Sequence, residues 1–192
     1  MRNWKILLIG GPNGTGKTTI AGKLSRLYSV PFLQLEDVRV AMQAVVSEES
    51  APGFKSFFDS WPKSLLTETS IKLVNEYISI ARCVWRGVDY IIQNHLNNNQ
   101  PLILEGDLII PSLLQKTNGE VKSIFLYDSK ENLYKREFPK DISGEDKKIF
   151  SKFIEFNAEL GKIIKDDAQK IGLPVIHSSP INSLYQRVLT TM

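Results

Sequence analysis

Near the start of the chain, Gly11-Pro12-Asn13-Gly14-Thr15-Gly16-Lys17-Thr18 fits the phosphate-binding pattern G-x-x-x-x-G-K-[ST] without a gap. The pattern carries weight only in the right context, and the flanking residues supply it. Ile6-Leu7-Leu8-Ile9 is a continuous apolar run, which suits a strand buried on both faces. Ile20, Leu24 and Leu27 follow at helical spacing, so a helix is expected from about Gly16. In a strand–loop–helix order, the glycines let successive backbone N–H groups turn into one cavity, and the helix N-terminus adds its positive end. Lys17 then supplies a full charge to terminal phosphates, and the Thr18 hydroxyl is suited to Mg²⁺. Thr19 completes the set of residues expected at the phosphates. The ligand this implies is a nucleoside triphosphate.

The rest of the chain must build a fold around that loop. With 192 residues and 42% hydrophobic content, one domain spanning residues 1–192 is expected. A net charge of +3 suits a polyanionic small molecule and is too mild to argue for nucleic acid. The single cysteine, Cys83, forms no internal disulfide and is compatible with a reducing cytoplasm. Arg2 and Lys5 precede an apolar run, but that run is too short for a secretory signal and leads straight into the loop. No apolar stretch approaches membrane-spanning length, so no membrane partner is expected.

Four further strands are expected, at Phe32-Leu33-Gln34-Leu35, Leu102-Ile103-Leu104, Val121–Tyr127 and Leu173–His177. Helical patterns separate them, which predicts an open parallel α/β sheet with ligands at the C-terminal ends of its strands. Between the second and third strands, residues 47–100 read as a helical insertion on the substrate side. A helix is expected from about Ser60, with Leu66, Leu73, Tyr77, Ile80 and Val84 on its buried stripe and Gly87 as a possible break. Phe54, Phe57 and Phe58 before it and Trp61 at its start suit either a satellite core, an oligomer contact or a lid. Leu102 to Asp107 ends in carboxylates, the form of a Walker B strand in which Glu105 reaches Mg²⁺ or its water. Residues 137–146 are charged and contain Pro139 and Gly144, so a surface lid loop is expected there. Pro180 to Leu189 reads as a closing helix.

The GTPase base-recognition run N-K-x-D and the transporter signature L-S-G-G-Q are both absent. Over nearly its whole length the chain resembles the nucleoside-monophosphate-kinase-like P-loop kinases. That resemblance implies a three-layer P-loop fold, a five-stranded parallel sheet in order 2-3-1-4-5 with helices on both faces. Three stretches, Gly10 to Thr19, Leu35 to Met42 and Leu104 to Pro111, are most similar to 2-phosphoglycerate kinase-like proteins, with Leu108 standing where that family has a histidine.

What the resemblance implies is transfer of the γ-phosphate of Mg-ATP to a hydroxyl of a small, anionic metabolite. Lys17 and Thr18 are then expected at phosphate and metal, and Glu105 at the metal. Glu36 and Asp37 would lie at the acceptor, Asp37 orienting its hydroxyl, while an acidic N-cap for the following helix is the rival reading. Arg39 lies one helical turn from Glu36, on roughly the same face, and suits an anionic group; Arg136 would cover the transferring phosphate, or lie in solvent. Arg82 and Arg86 suit either the acceptor or surface pairing, and His177 is given no chemistry. A nucleotide or nucleoside kinase and a non-catalytic ATP-binding regulator remain as alternatives, and the assembly is expected to be a monomer or homodimer.

Overall fold

The computed structural model describes residues 2–114, 119–139 and 141–192. Five parallel strands form one sheet, β1 (Ile6–Gly10), β2 (Phe32–Gln34), β3 (Leu102–Gly106), β4 (Val121–Tyr127) and β5 (Val175–His177). Their spatial order is β2-β3-β1-β4-β5, which is the expected 2-3-1-4-5 arrangement. Gly10 pairs with Gly106 and Phe125, and Gln34 with Glu105, so the strands end together along one rim.

Strand alternation assigns the two faces. Ile6, Leu8, Leu102 and Leu104 pack into one core with α5 (Ser70–Asn97) and α7 (Gly144–Lys170). Leu7, Ile9, Ile103 and Ile124 face the other way, onto α1 (Lys17–Tyr28) and α8 (Leu184–Thr191). Both faces of β1 are therefore dry, which is why it reads as an unbroken apolar run. Each fully buried Leu or Ile here contributes roughly 1.5–3 kcal/mol. Among the described residues, no helix is long and apolar enough to cross a membrane.

Several expectations need correction. β2 stops at Gln34, and Leu35 is already the first residue of α2 (Leu35–Val45), with its side chain fully buried. The helix expected from Ser60 is divided into α4 (Trp61–Thr67) and α5, because Thr69 starts a new helix by accepting the Lys72 N–H. Leu65 is buried there, while Leu66 is exposed. Gly87 does not break α5; its open side faces Met42 of α2, and a helix has no need to bend where a small residue eases packing. The aromatic segment forms α3 (Phe54–Asp59) and the start of α4. Phe54 and Phe57 are buried in the core, the latter against Tyr77. The loop expected over 137–146 is shorter, since Glu137 closes α6 (Lys130–Glu137) and Gly144 opens α7. Lys140, within that loop, lies outside the described residues. The closing helix begins at Leu184, after a short 3₁₀ turn at Ile181–Ser183.

Candidate functional site

The loop between β1 and α1 is held from three sides. Gly11 sits at φ 138°, and a side chain there would overlap the Leu126 carbonyl of β4. Within the loop, the Pro12 carbonyl accepts hydrogen bonds from the Thr15 hydroxyl at 2.8 Å and from Lys17 Nζ at 3.0 Å. On one flank, α7 supplies Asn157, whose Oδ1 accepts the Asn13 backbone N–H at 2.9 Å. The Asn157 amide donates in turn to the Phe153 carbonyl at 2.9 Å. Gly161, one turn further along α7, leaves just enough room for Pro12, because a Cβ there would lie 2.9 Å from Pro12 Cγ. On the opposite flank, Leu133 and Glu137 of α6 lie against Gly14.

Lys17 is buried, and that burial pushes its ammonium below the ordinary lysine value, against the pull of the Asp107, Glu105 and Glu137 carboxylates. An ammonium enclosed in this way, with a single carbonyl partner, is suited to receiving anionic oxygens. At the end of the loop the Thr18 hydroxyl donates to Glu105 Oε1 at 2.7 Å. Burial raises the Glu105 carboxyl, while the Thr18 hydroxyl and Lys17 act in the opposite direction. Among the described residues no cluster of three or more His, Cys, Asp or Glu converges on one point. A hydroxyl and a carboxylate alone fit Mg²⁺, which retains waters and takes phosphate oxygens for most of its shell.

Lys17 and Thr18 open onto a cavity of about 540 Å³. The other lining residues come from the ends of β2 and β3 and from α2 to α5 and α7, among them Gln34, Arg39, Phe58, Trp61, Tyr77 and Asp107. Asp107 is central: its Oδ1 accepts the Tyr77 hydroxyl at 2.8 Å and its Oδ2 the Asn13 amide at 3.2 Å. Enclosure raises the Asp107 carboxyl, and burial also pushes the Tyr77 phenol well above its ordinary value. Sequence reasoning took Asp107 only as the end of an acidic strand terminus and Tyr77 only as core. The signal was a hydroxyl placed on the buried stripe of α5, just as an amide, Asn157, is placed on the buried stripe of α7.

The other expected residues are distributed differently. Glu36 lines the cavity and holds Arg39, which donates Nε–H to Glu36 Oε2 at 2.9 Å and a second N–H to Oε1. Neither acid caps the helix through its side chain; both lie in the first turn of α2, and Asp37 is exposed, close enough to Glu105 to raise its carboxyl. Arg136 lies on α6 with its side chain partly buried. Its guanidinium is tied to Asp128 Oδ2 at 2.6 Å and to the Ser179 hydroxyl at 3.1 Å, in a network that also brings His177 Nε2 to 3.2 Å from Asp128. Arg82 and Arg86 are exposed on α5, on the side opposite its buried stripe, and do not line the cavity.

No family model matches the chain. A curated protein, the signal recognition particle receptor FtsY of Rickettsia typhi, is 29% identical over 179 residues, covering 88% of this chain. The chain spans only 57% of that relative's length. Among solved structures, a gluconokinase from Sinorhizobium meliloti 1021 superposes with a TM-score of 0.56 at 12% identity, covering 100% of this chain and 93% of its own. Dephospho-CoA kinase from Campylobacter jejuni does so with a TM-score of 0.51 at 11% identity, covering 97% of this chain and 94% of its own. With the sheet order and the loop after β1, these likenesses give the chain the fold of the P-loop kinases.

Proposed function

We propose that this protein is an ATP-dependent phosphotransferase acting on a hydroxyl of a small molecule. The observation that carries this reading is the single cavity that joins Lys17 and Thr18 to a chamber walled by Phe58, Trp61, Tyr77 and Asp107. The transferring phosphates of a donor at one end and a smaller molecule at the other would lie side by side in such a space, the arrangement that transfer between bound partners requires.

In this reading the loop amides hold the β- and γ-phosphates, and Lys17 exchanges the Pro12 carbonyl for phosphate oxygens. Thr18 and Glu105 would hold Mg²⁺, which supplies charge neutralisation at the transferring group. Asp107 orients the acceptor hydroxyl, a role that falls to it because its carboxylate faces the cavity on a rigid pair of hydrogen bonds. Exposed Asp37, in the first turn of α2, would reach the water shell of the metal beside Glu105. Arg136 acts as a brace for the loop after β5, through Asp128 and Ser179. The catalysis asked of this chain is positioning and charge compensation.

Acceptor-dependent ADP release across a panel of hydroxylated metabolites tests the proposal, with Lys17→Ala as the reference. At least one acceptor should raise turnover in the parent and none in the variant. Parent-level ATP binding and turnover in Lys17→Ala would remove the phosphate-loop assignment, and ATP binding without any acceptor response would favour the regulatory alternative.

A further inference from the structure

The cavity carries an arginine, and an arginine in a substrate chamber ordinarily suggests an anionic substrate. Arg39 is already committed. A guanidinium offers five N–H donors in a planar fork. Two of these reach the two oxygens of Glu36, and Nη1 donates to Gln43 Oε1 at 2.6 Å. One face of the fork is covered by Phe58, whose ring centroid lies 4.0 Å from Cζ. Arg39 is only 9% exposed, so little of it remains for a ligand. Gln43 is itself held, donating to Asp59 at 3.3 Å.

The charges around it point the same way. Beyond the phosphate loop and Glu105, the charged groups lining the cavity are Arg39, Glu36 and Asp107, one cation against two carboxylates. An incoming anion would have to displace Glu36 from the fork, leaving that carboxylate beside the new charge, or go unpaired near Asp107. Glu36 is itself exposed, so the opposition to an anion comes from the competition for the fork and from the nearby carboxylates. The remaining wall is aromatic, with Trp61 packed edge-on against Phe156 at 4.8 Å and Tyr77 against Phe156 at 5.4 Å. Such a wall favours a flat or ring-shaped partner, and Gln34 and Asp107 supply hydrogen-bonding groups at its edge.

We propose that the phosphate acceptor is an uncharged, ring-containing hydroxyl compound, and that the Glu36–Arg39 pair is a specificity element that keeps anionic analogues out. The inference rests on the phosphotransfer reading, but it is tested through a separate measurement. The ring lies along Phe58 and Trp61 with its reacting hydroxyl toward Asp107. With three of its five N–H groups donated and one face under Phe58, the Arg39 fork has little left for a carboxylate or phosphate on the acceptor.

Calorimetric titration of inorganic phosphate into protein pre-loaded with Mg-AMP-PNP reads the anion preference directly. The parent should show no saturable phosphate site beyond that of Arg39→Gln, whereas Glu36→Gln, which frees the fork, should bind phosphate at least roughly tenfold more tightly than the parent. Parent binding equal to that of Glu36→Gln, and lost in Arg39→Gln, overturns the proposal. A second arm needs only the parent protein: sugars and nucleosides are compared with their monophosphates by acceptor-dependent ADP release. The uncharged member of a pair should be favoured by roughly tenfold or more, and a monophosphate turned over faster than its parent alcohol overturns the proposal. Failure of the parent to take up Mg-AMP-PNP, seen before any phosphate is added, instead sinks the phosphotransfer reading itself.

Discussion

Thr18 Oγ1 lies 2.7 Å from Glu105 Oε1, tying the first turn of the helix after the phosphate loop to the end of the neighbouring strand. The hydroxyl and the carboxylate hold each other in place before any metal is bound. Glu105→Gln should therefore raise the Mg²⁺ concentration for half-maximal turnover by about tenfold, with a smaller effect on nucleotide affinity. A Mg²⁺ titration superimposable on that of the parent would reduce Glu105 to a strand terminator.

Gly161 is the point where α7 meets Pro12. A methyl group there would lie 2.9 Å from a ring that cannot rotate away, so Gly161→Ala should shift the loop. We expect a loss of about 1–3 kcal/mol in stability together with weaker ATP binding. Thermal melts and ATP titrations check this, and unchanged ATP affinity would show that α7 does not brace the loop.

Tyr77→Phe removes one of the two side-chain hydrogen bonds that orient Asp107. Turnover should fall several-fold while ATP affinity stays at the parent level, with stability changing by about 0.5–1.5 kcal/mol. Equal losses in ATP affinity and kcat would place Tyr77 in general architecture instead.

Asp128 gives a pH-dependent prediction. Burial pushes its carboxyl up, but hydrogen bonds from Asn132, Ser179 and Arg136 together outweigh that and hold it below its ordinary 3.8. A depressed folded value stabilises the protein above the unfolded pKa and loses that contribution as pH falls through the folded one. Asp128→Asn should therefore melt earlier than the parent at neutral pH, by about 1–3 kcal/mol, and the gap should close below roughly pH 4. A gap that stays constant down to acid pH would show that the charge of Asp128 does not contribute.

The phosphate loop, the five strands and their ends were legible because each rests on local pattern. Glycines at fixed spacing, apolar runs and helical periodicity report on neighbours in sequence. The position of Glu105 at a strand end was legible on the same basis, as the acid that closes a buried run. Asp107, Tyr77 and Asn157 were missed because their importance lies in partners far along the chain: Tyr77 is 30 residues from Asp107, and Asn157 is 144 from Asn13. Arg39 was expected to take an anionic group of the acceptor, and its bidentate partner Glu36 was visible only as an i, i+3 neighbour. Nothing in the sequence said that Phe58 would close over it. For Arg82 and Arg86 the sequence left acceptor binding and surface pairing both open; the stripe through Tyr77, Val84 and Val88 takes the inward side of the helix and leaves both arginines exposed.

β2 passes into α2 with no residue between Gln34 and Leu35, and Leu35 is locked under the sheet. Glu36 and Arg39 therefore ride on a corner that has no hinge. Selectivity built on such a corner is hard to retune by motion, so a descendant of this protein would change its choice of partner by exchanging side chains, one at a time, on a backbone that stays still.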